Sequence, residues 1–141
     1  MRRFLMLIVL SSLAFAPAPV YRPRSDPRAA DLKALQGVWV VAYFIGNGER
    51  MPSTQEATWR IEGANVTTTF GGKPSSRFTL VLGEAGVPRH LDLVKDDGER
   101  MPGRYQVEGD RLEVGIGKER PGDLSGRGEG VGVWILQRKK P

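Results

Sequence analysis

The stretch DLKALQGVW, residues 31–39, joins a short helical turn directly to the start of an apolar strand. Asp31 is of a residue type that caps helix N-termini, and Gly37 interrupts the helical pattern. From Val38 the chain continues as a run of β-branched and aromatic residues, which favour strands. The stretch therefore predicts a capped helical turn that ends where the first strand of a β domain begins.

Downstream of this stretch the chain reads as short strands separated by turn signals. From Ala57 to Glu62, apolar residues alternate with polar ones, the period expected for a strand with one buried and one solvated face. The first strand is apolar on both faces, so we expect it to be buried on both, and Asn47-Gly48 suits the tight turn after it. The expected strands are Val38–Ile45, Ala57–Glu62, Asn65–Phe70, Arg77–Leu82, His90–Val94, Gly103–Glu108, Arg111–Ile116 and Val131–Arg138.

Eight such strands without a substantial helix predict an all-β fold. The expected architecture is a small eight-stranded antiparallel up-and-down barrel over residues 31–141, with a short N-terminal helical turn. A barrel of this size is only just wide enough to be filled by side chains or to hold one small ligand. Aromatic residues expected to point inward would take up much of that room, which favours a small or absent cavity. These candidate ligand contacts are Tyr43, Trp59, Phe70, Phe78 and Tyr105.

The N-terminal residues have the pattern of an export leader. Arg2 and Arg3 precede the largely apolar run Phe4–Ala16, which is too short to span a bilayer core that needs roughly 20 helical residues. We therefore expect a signal peptide at 1–16, no membrane span after its cleavage, and a periplasmic or extracellular protein; an uncleaved anchor is the alternative. Residues 17–30 are rich in proline, and their spacing predicts an extended linker without helix.

The formal net charge of +5 does not predict nucleic-acid binding, because most of the excess lies before the domain. From Asp31 onward, sixteen basic residues are offset by fifteen acidic ones. A domain so nearly balanced has no general attraction to phosphate. The chain has no cysteine, so its stability must come from the core rather than from disulfides.

Catalytic and metal-binding constellations are missing from the sequence. With one histidine and no cysteine, the only base for a serine nucleophile is His90, whose nearest acid is Asp92 on the same strand face. That pairing is common on exposed strands, so a surface histidine is the favoured interpretation. One histidine and scattered carboxylates offer no metal-ligand spacing. We expect no catalytic residues, no metal and no cofactor.

A pentapeptide occurs twice in the domain. GERMP at 48–52 returns at 98–102, and each copy precedes a segment of the form aromatic-x-aliphatic-Glu-Gly. A duplicated half-barrel and two similar hairpins under similar constraints both explain the repeat, and we favour the second.

Several pieces of sequence, taken in order, carry a family resemblance. They are LQGVW at 35–39, GRY at 103–105 with GDRL at 109–112, Arg120-Pro121, and LQR at 136–138. Together they resemble a family of small, secreted, lipocalin-like domains that is abundant in planctomycete bacteria and whose function is uncharacterised. The resemblance covers residues 31–140; Gly122-Asp123-Leu124 departs from the polar pair and aromatic that the family tends to carry there.

The resemblance implies a structural signature of Gly37, Trp39 and Arg138. In lipocalin-like barrels the first-strand tryptophan closes one end, and an arginine from the end of the last strand packs across its face. For function, we expect an exported, non-enzymatic barrel that binds a small apolar ligand or a protein partner of the cell envelope. The alternative is a protease-inhibitor-like or envelope interaction module that acts through its loops or through the segment before Asp31.

Overall fold

The computed structural model describes residues 26–83 and 88–141, so the leader and the first part of the linker lie outside the described residues. A helix, α1, spans Pro27–Leu35, and Asp26 caps it by accepting a hydrogen bond from the backbone N–H of Arg28 at 2.9 Å. The extended conformation expected over 17–30 is therefore wrong from Pro27 onward. Proline is well tolerated in the first turn of a helix, where its missing N–H would have no partner.

Within the described residues, nine strands follow the helix. They are β1 (Gly37–Gly46), β2 (Glu49–Pro52), β3 (Ala57–Glu62), β4 (Asn65–Phe70), β5 (Lys73–Leu82), β6 (Arg89–Lys95), β7 (Arg100–Glu108), β8 (Arg111–Ile116) and β9 (Gly132–Arg138). All eight expected strands are present, and β5 and β7 begin four and three residues earlier than expected.

The strands form a closed antiparallel barrel. β1 and β3–β9 pair in sequence order, and the pairing of β1 with β9 completes the ring, from Trp39 opposite Arg138 to Gly46 opposite Gly132. The eight-stranded up-and-down barrel preceded by a short helix is thus confirmed. Closure gives each of the eight barrel strands a partner on both sides.

The strand β2 was not expected from the sequence. Its four residues, Glu49–Pro52, are all exposed and so carry no hydrophobic period. It pairs with the second half of β1, while β3 pairs with the first half. The neighbour of β1 therefore changes along its length, and the connection from β2 to β3 lies beside one end of the barrel.

A β-bulge at Ala42 changes which side of β1 faces inward. Val41 pairs with Leu136 and Tyr43 with the next residue of β9, Ile135, so Ala42 is an extra residue. Before the bulge Trp39 and Val41 are buried. Beyond it Phe44 packs against Trp134 while Tyr43 stacks with Arg50, so the alternation has shifted by one. The expectation that β1 is buried on both faces is wrong, because a bulge places two residues opposite one and re-aims those that follow.

The core fills one half of the barrel and continues to the helix. Its buried members are Leu35, Trp39, Val41, Trp59, Ile61, Val66, Leu80, Leu91, Leu93, Tyr105, Leu112, Val114, Ile116 and Leu136. The connections α1–β1, β3–β4 and β7–β8 lie at one end, called here the closed end. The connections β1–β2, β4–β5, β6–β7 and β8–β9 lie at the other, called here the open end.

The long β8–β9 connection, residues 117–131, is packed against the outside of the barrel. Arg120 donates hydrogen bonds to the carbonyls of Leu91 and Gly103, at 3.1 and 2.7 Å, and to the carboxylate of Asp92 at 2.8 Å. Farther along, the carbonyl of Gly126 accepts from the backbone N–H of Gly48 at 2.8 Å. The connection is therefore tied to β6, to β7 and to the β1–β2 turn.

Candidate ligand-binding site

The closed end is plugged by Trp39, which is fully buried. The guanidinium of Arg138 lies 4.2 Å from the centre of its indole ring, so the stacking that the resemblance implies is present. Gly37 has φ of +117°, and a Cβ there would lie 3.1 Å from Nη1 of Arg138. All three signature residues thus meet at one place, and Trp39 fills the barrel interior there.

The same residues complete the end of α1. The last four carbonyls of a helix have no partner within it. Here Gln36 donates to Leu32 through its side chain and to Lys33 through its backbone N–H. Arg138 donates to Ala34 at 2.6 Å, and the indole N–H of Trp39 donates to Leu35 at 2.8 Å. The helix is therefore fixed to the barrel through its own terminal carbonyls.

A second contact of α1 involves Tyr105, whose side chain is 1% exposed. The Tyr105 hydroxyl donates to the carboxylate of Asp31 at 2.6 Å, and Arg89 forms an ion pair with the same carboxylate oxygen at 2.8 Å. Burial, reinforced by the neighbouring Asp31 carboxylate, raises the pKa of Tyr105 well above its ordinary value. The prediction that Asp31 caps the helix is wrong, because Asp26 is the cap. Asp31 instead ties the middle of the helix to β6 and β7.

The open end holds a cavity of about 550 Å³. This volume lies within the range of pockets that bind small organic molecules, roughly 300–1,000 Å³. Its floor is formed by buried apolar residues, Val41, Trp59, Leu93 and Ile116. The expectation of a small or absent cavity is wrong, because two of the aromatic residues counted as filling the barrel do not lie inside its open end.

Those two residues are Tyr43 and Tyr105. Tyr43 was expected inside the barrel, but it follows the bulge and lies outside, with the guanidinium of Arg50 3.7 Å from its ring centre. Its hydroxyl lies 3.4 Å from Nη2 of Arg111, on the outer side of β8. Tyr105 points inward but sits at the closed end, away from the cavity. Neither residue lines the cavity.

The other three candidates, Trp59, Phe70 and Phe78, do line the cavity. Sequence reasoning missed two further aromatic residues, Phe44 and Trp134. The rings of Phe44 and Trp134 lie 5.0 Å apart between centres, and those of Trp59 and Trp134 lie 5.9 Å apart. The three rings form one continuous aromatic wall of tilted contacts, a geometry favoured by aromatic pairs.

Phe44 faces this wall only because of the bulge, and its position also depends on a glycine. A Cβ at Gly132 would lie 2.6 Å from the Phe44 ring. Gly132, which pairs with Gly46 on β1, must therefore carry no side chain. No alternation pattern in the first strand signals this arrangement, because that strand is apolar on both faces.

The two copies of the repeated pentapeptide both reach the open end. Gly48 and Gly98 lie in turns with φ of +75° and +89°. In each copy the methionine three residues later, Met51 or Met101, lines the cavity. Methionine is flexible and fills irregular apolar space, so the repeat supplies two adaptable walls at corresponding places.

One side of the cavity mouth carries hydroxyl groups. They belong to the β2–β3 connection, the end of β4 and the start of β5, and they are Ser53, Thr54, Thr68, Thr69, Ser75 and Ser76. No charged or titratable side chain of the described residues lines this cavity. The cavity therefore offers apolar contact at its floor and uncharged hydrogen-bonding groups at its mouth.

A second compartment of about 640 Å³ adjoins the cavity and shares with it Phe44, Met51, Met101, Ile116 and Trp134. Its own lining includes three charged side chains, Glu99, Arg100 and Lys118. Glu99 is paired with Lys95, and Arg100 with Asp92 at 2.8 Å. The shared apolar residues thus divide the open end into an uncharged side and a charged side.

The acid weighed as a partner for His90 forms ion pairs with arginines. The Asp92 carboxylate, on the outer side of β6 with His90, is bound by both Arg100 and Arg120. Within residues 26–83 and 88–141, no group of three or more histidine and carboxylate side chains is placed to hold a metal ion. In that same part of the chain, no helix has the length and apolar character needed to cross a lipid bilayer.

Comparison of the chain with protein-family models, with curated proteins and with solved structures gives no match. The function is therefore argued from the geometry of the barrel and its cavity.

Proposed function

We propose that this chain is an exported, non-enzymatic barrel that binds a small apolar ligand in the cavity at its open end. The observation that carries the proposal is the cavity itself, about 550 Å³ in volume and walled by Phe44, Trp59 and Trp134. Pockets of this size with mainly aromatic and aliphatic linings are the usual form of small-molecule sites. The uncharged lining supplies no general acid or base, which supports binding rather than catalysis.

The position of the cavity also supports a binding role. One end of the barrel is plugged by Trp39, Arg138 and α1, whereas the other gives direct access to the aromatic wall. Exposed apolar side chains stand at that access, with Phe70 51% and Met51 44% exposed. An apolar ligand entering here would cover both side chains, a gain from the hydrophobic effect.

The direct test is a titration with N-phenylnaphthylamine, an uncharged apolar dye whose fluorescence rises when it moves from water into an apolar site. We expect saturable binding by the purified domain and displacement of the dye by other apolar molecules. Substituting Ala57→Phe should abolish binding, because Ala57 lines the cavity and the added ring would occupy it.

The matched control is Val81→Phe, which adds a ring to the exposed side of β5 instead. We expect this variant to bind the dye like the parent protein. Equal binding by the Ala57→Phe variant, with its fold intact by circular dichroism, would exclude the cavity as the site.

Export and family relationship are part of the same proposal. The basic and apolar pattern of residues 2–16 supports a cleaved leader, and the Trp39–Arg138 contact supports the likeness to secreted lipocalin-like domains. N-terminal sequencing of the protein recovered from the periplasm or the medium tests the leader. A new N-terminus near residue 17 is expected, and recovery of the intact leader in the membrane fraction would favour the anchor.

A further inference from the structure

We propose that the cavity selects uncharged amphiphiles, molecules with an apolar body and a neutral polar head such as a hydroxyl group. This inference rests on the proposed function and adds the chemical class of the ligand. The body would contact the aromatic wall, and the head would lie against the hydroxyl-bearing mouth formed by Thr54, Ser75 and Ser76.

The polarity of the cavity changes along its depth. At the floor Trp59 is 8%, Leu93 2% and Ile116 8% exposed, and the indole N–H of Trp59 is the only polar group among these three side chains. At the mouth Thr54, Ser75 and Ser76 are exposed. A molecule bound along this axis would meet apolar surface first and hydroxyl groups last, which fixes its orientation.

The mouth hydroxyls fall into two groups. The hydroxyls of Ser53, Thr68 and Thr69 are engaged within the protein. Ser53 donates to the carbonyl of Gln55, Thr68 bonds to the backbone of Ser76, and Thr69 bonds to the hydroxyl of Thr58, which lies outside the cavity lining. Those of Thr54, Ser75 and Ser76 make no hydrogen bond to other described residues. These three can donate to and accept from a ligand head, because a hydroxyl does both.

The cavity has no charged side chain in its described lining, and this disfavours ligands with a charged head. Moving an ion out of water is costly unless an opposite charge or several hydrogen bonds compensate it. No described side chain lining the cavity carries a charge, so neither a carboxylate nor an ammonium head finds a counter-ion there. A neutral hydroxyl leaves water at far lower cost and is satisfied by the mouth.

Among the described residues, the charged second compartment is one rival place for an ionic head at the open end. Glu99 and Arg100 already have ionic partners, whereas Lys118 is exposed and has no ion pair with another described residue. A carboxylate that used Lys118 would have to place its head across the shared wall of Phe44 and Met101. Substitution of Lys118 tells the two arrangements apart.

The test compares three probes with the same apolar chain, namely decanol, decanoate and decylamine, by displacement of N-phenylnaphthylamine from the parent protein. At about pH 8, where the acid and the amine are both ionised, we expect decanol to bind at least about tenfold more tightly than either ion. Lowering the pH toward the carboxyl pKa should strengthen decanoate binding and leave decanol unchanged. Equal or tighter binding of the ions would overturn the inference.

Two variants sharpen the result. Ser76→Lys places an ammonium at the mouth and should raise the affinity for decanoate relative to decanol; Thr79→Lys, on the outer face of the same strand, is the control and should leave both unchanged. Decanoate binding that equals decanol binding and disappears in Lys118→Gln would place the head in the second compartment and overturn the inference alone. Binding of neither the dye nor any of the three probes would overturn the proposed function with it.

Discussion

The guanidinium of Arg138, the last residue of the final strand, lies 4.2 Å from the ring centre of Trp39, on the first strand. The two residues are also paired in the β1–β9 ladder that closes the barrel. Because the same guanidinium donates to the carbonyls of Gln36 and Ala34, one side chain joins barrel closure, the core tryptophan and the helix terminus. Its planar shape and several donors allow all these contacts at once.

Replacing Arg138 with lysine should destabilise the protein by about 1–3 kcal/mol, since lysine keeps the charge but loses the stacked plane and the multiple hydrogen bonds. Urea unfolding followed by circular dichroism measures the change. Lys140→Gln, at an exposed position near the same terminus, is the control and should stay within about 0.5 kcal/mol of the parent. A loss below that margin for Arg138→Lys would show that the contact has no energetic role.

Substituting Gly37→Ala should destabilise the protein by about 1–3 kcal/mol, because φ of +117° is strained for any residue with a Cβ. The added methyl would also press on Arg138, 3.1 Å away. Gly63→Ala is the comparison: its φ of +60° lies in the left-handed region, and nothing lies within 4 Å of the added Cβ. We expect a cost of about 1 kcal/mol there. Equal losses for the two variants would contradict a role for the contact with Arg138.

Alkaline pH should weaken the protein through Tyr105. Its pKa is raised in the folded state by burial and by Asp31, so folded protein holds this proton more tightly than unfolded protein does. The resulting stability is complete below the ordinary tyrosine pKa of about 10 and is lost as the pH rises toward the folded value. In Tyr105→Phe the stability should fall less steeply above about pH 10. Urea midpoints across that range measure the slopes, and identical slopes would refute the assignment.

Removing the side chain of Arg120 should release residues 117–131 from the barrel. Arg120→Ala deletes the bonds to Leu91, Asp92 and Gly103, so amide hydrogen exchange should accelerate across this connection while the strands stay protected. Glu119→Ala, at the neighbouring exposed position, should leave exchange unchanged. Unchanged exchange in Arg120→Ala would mean that other contacts, such as Gly48 to Gly126, hold the connection.

Much of the fold could be predicted because alternation is a local property of a strand. In β3, β5 and β6 the inward residues Trp59, Leu80 and Leu93 lie where the period of two places them. The strand β2 was missed because its ERMP sequence is exposed throughout and carries no such period. The start of α1 was missed because proline was taken to exclude a helix, although its first turn accepts proline.

The candidate site was predicted less completely than the fold. Trp59, Phe70 and Phe78 lie on strands with a clear alternation, and they line the cavity. Tyr43 was misplaced and Phe44 missed because the strand β1 is apolar on both faces, so its sequence does not indicate where the bulge lies. The sequence correctly predicted that Tyr105 points into the barrel. It did not predict that Tyr105 lies at the closed end, beside Asp31 and away from the cavity.

The sequence by itself determined the short strands, their turns and the facing of most of their side chains, because these follow from the chemistry of neighbouring residues. The closing contact of Gly37, Trp39 and Arg138 was expected only from the family resemblance, and the structure contains it. Only the tertiary structure decided the bulge at Ala42, the exposed strand β2 and the depth and polarity of the cavity. The bulge and β2 depend on how β1 pairs with β9 and with β2, and the cavity depends on how residues from several strands meet at one end of the barrel. Pairing between strands leaves no local period to detect.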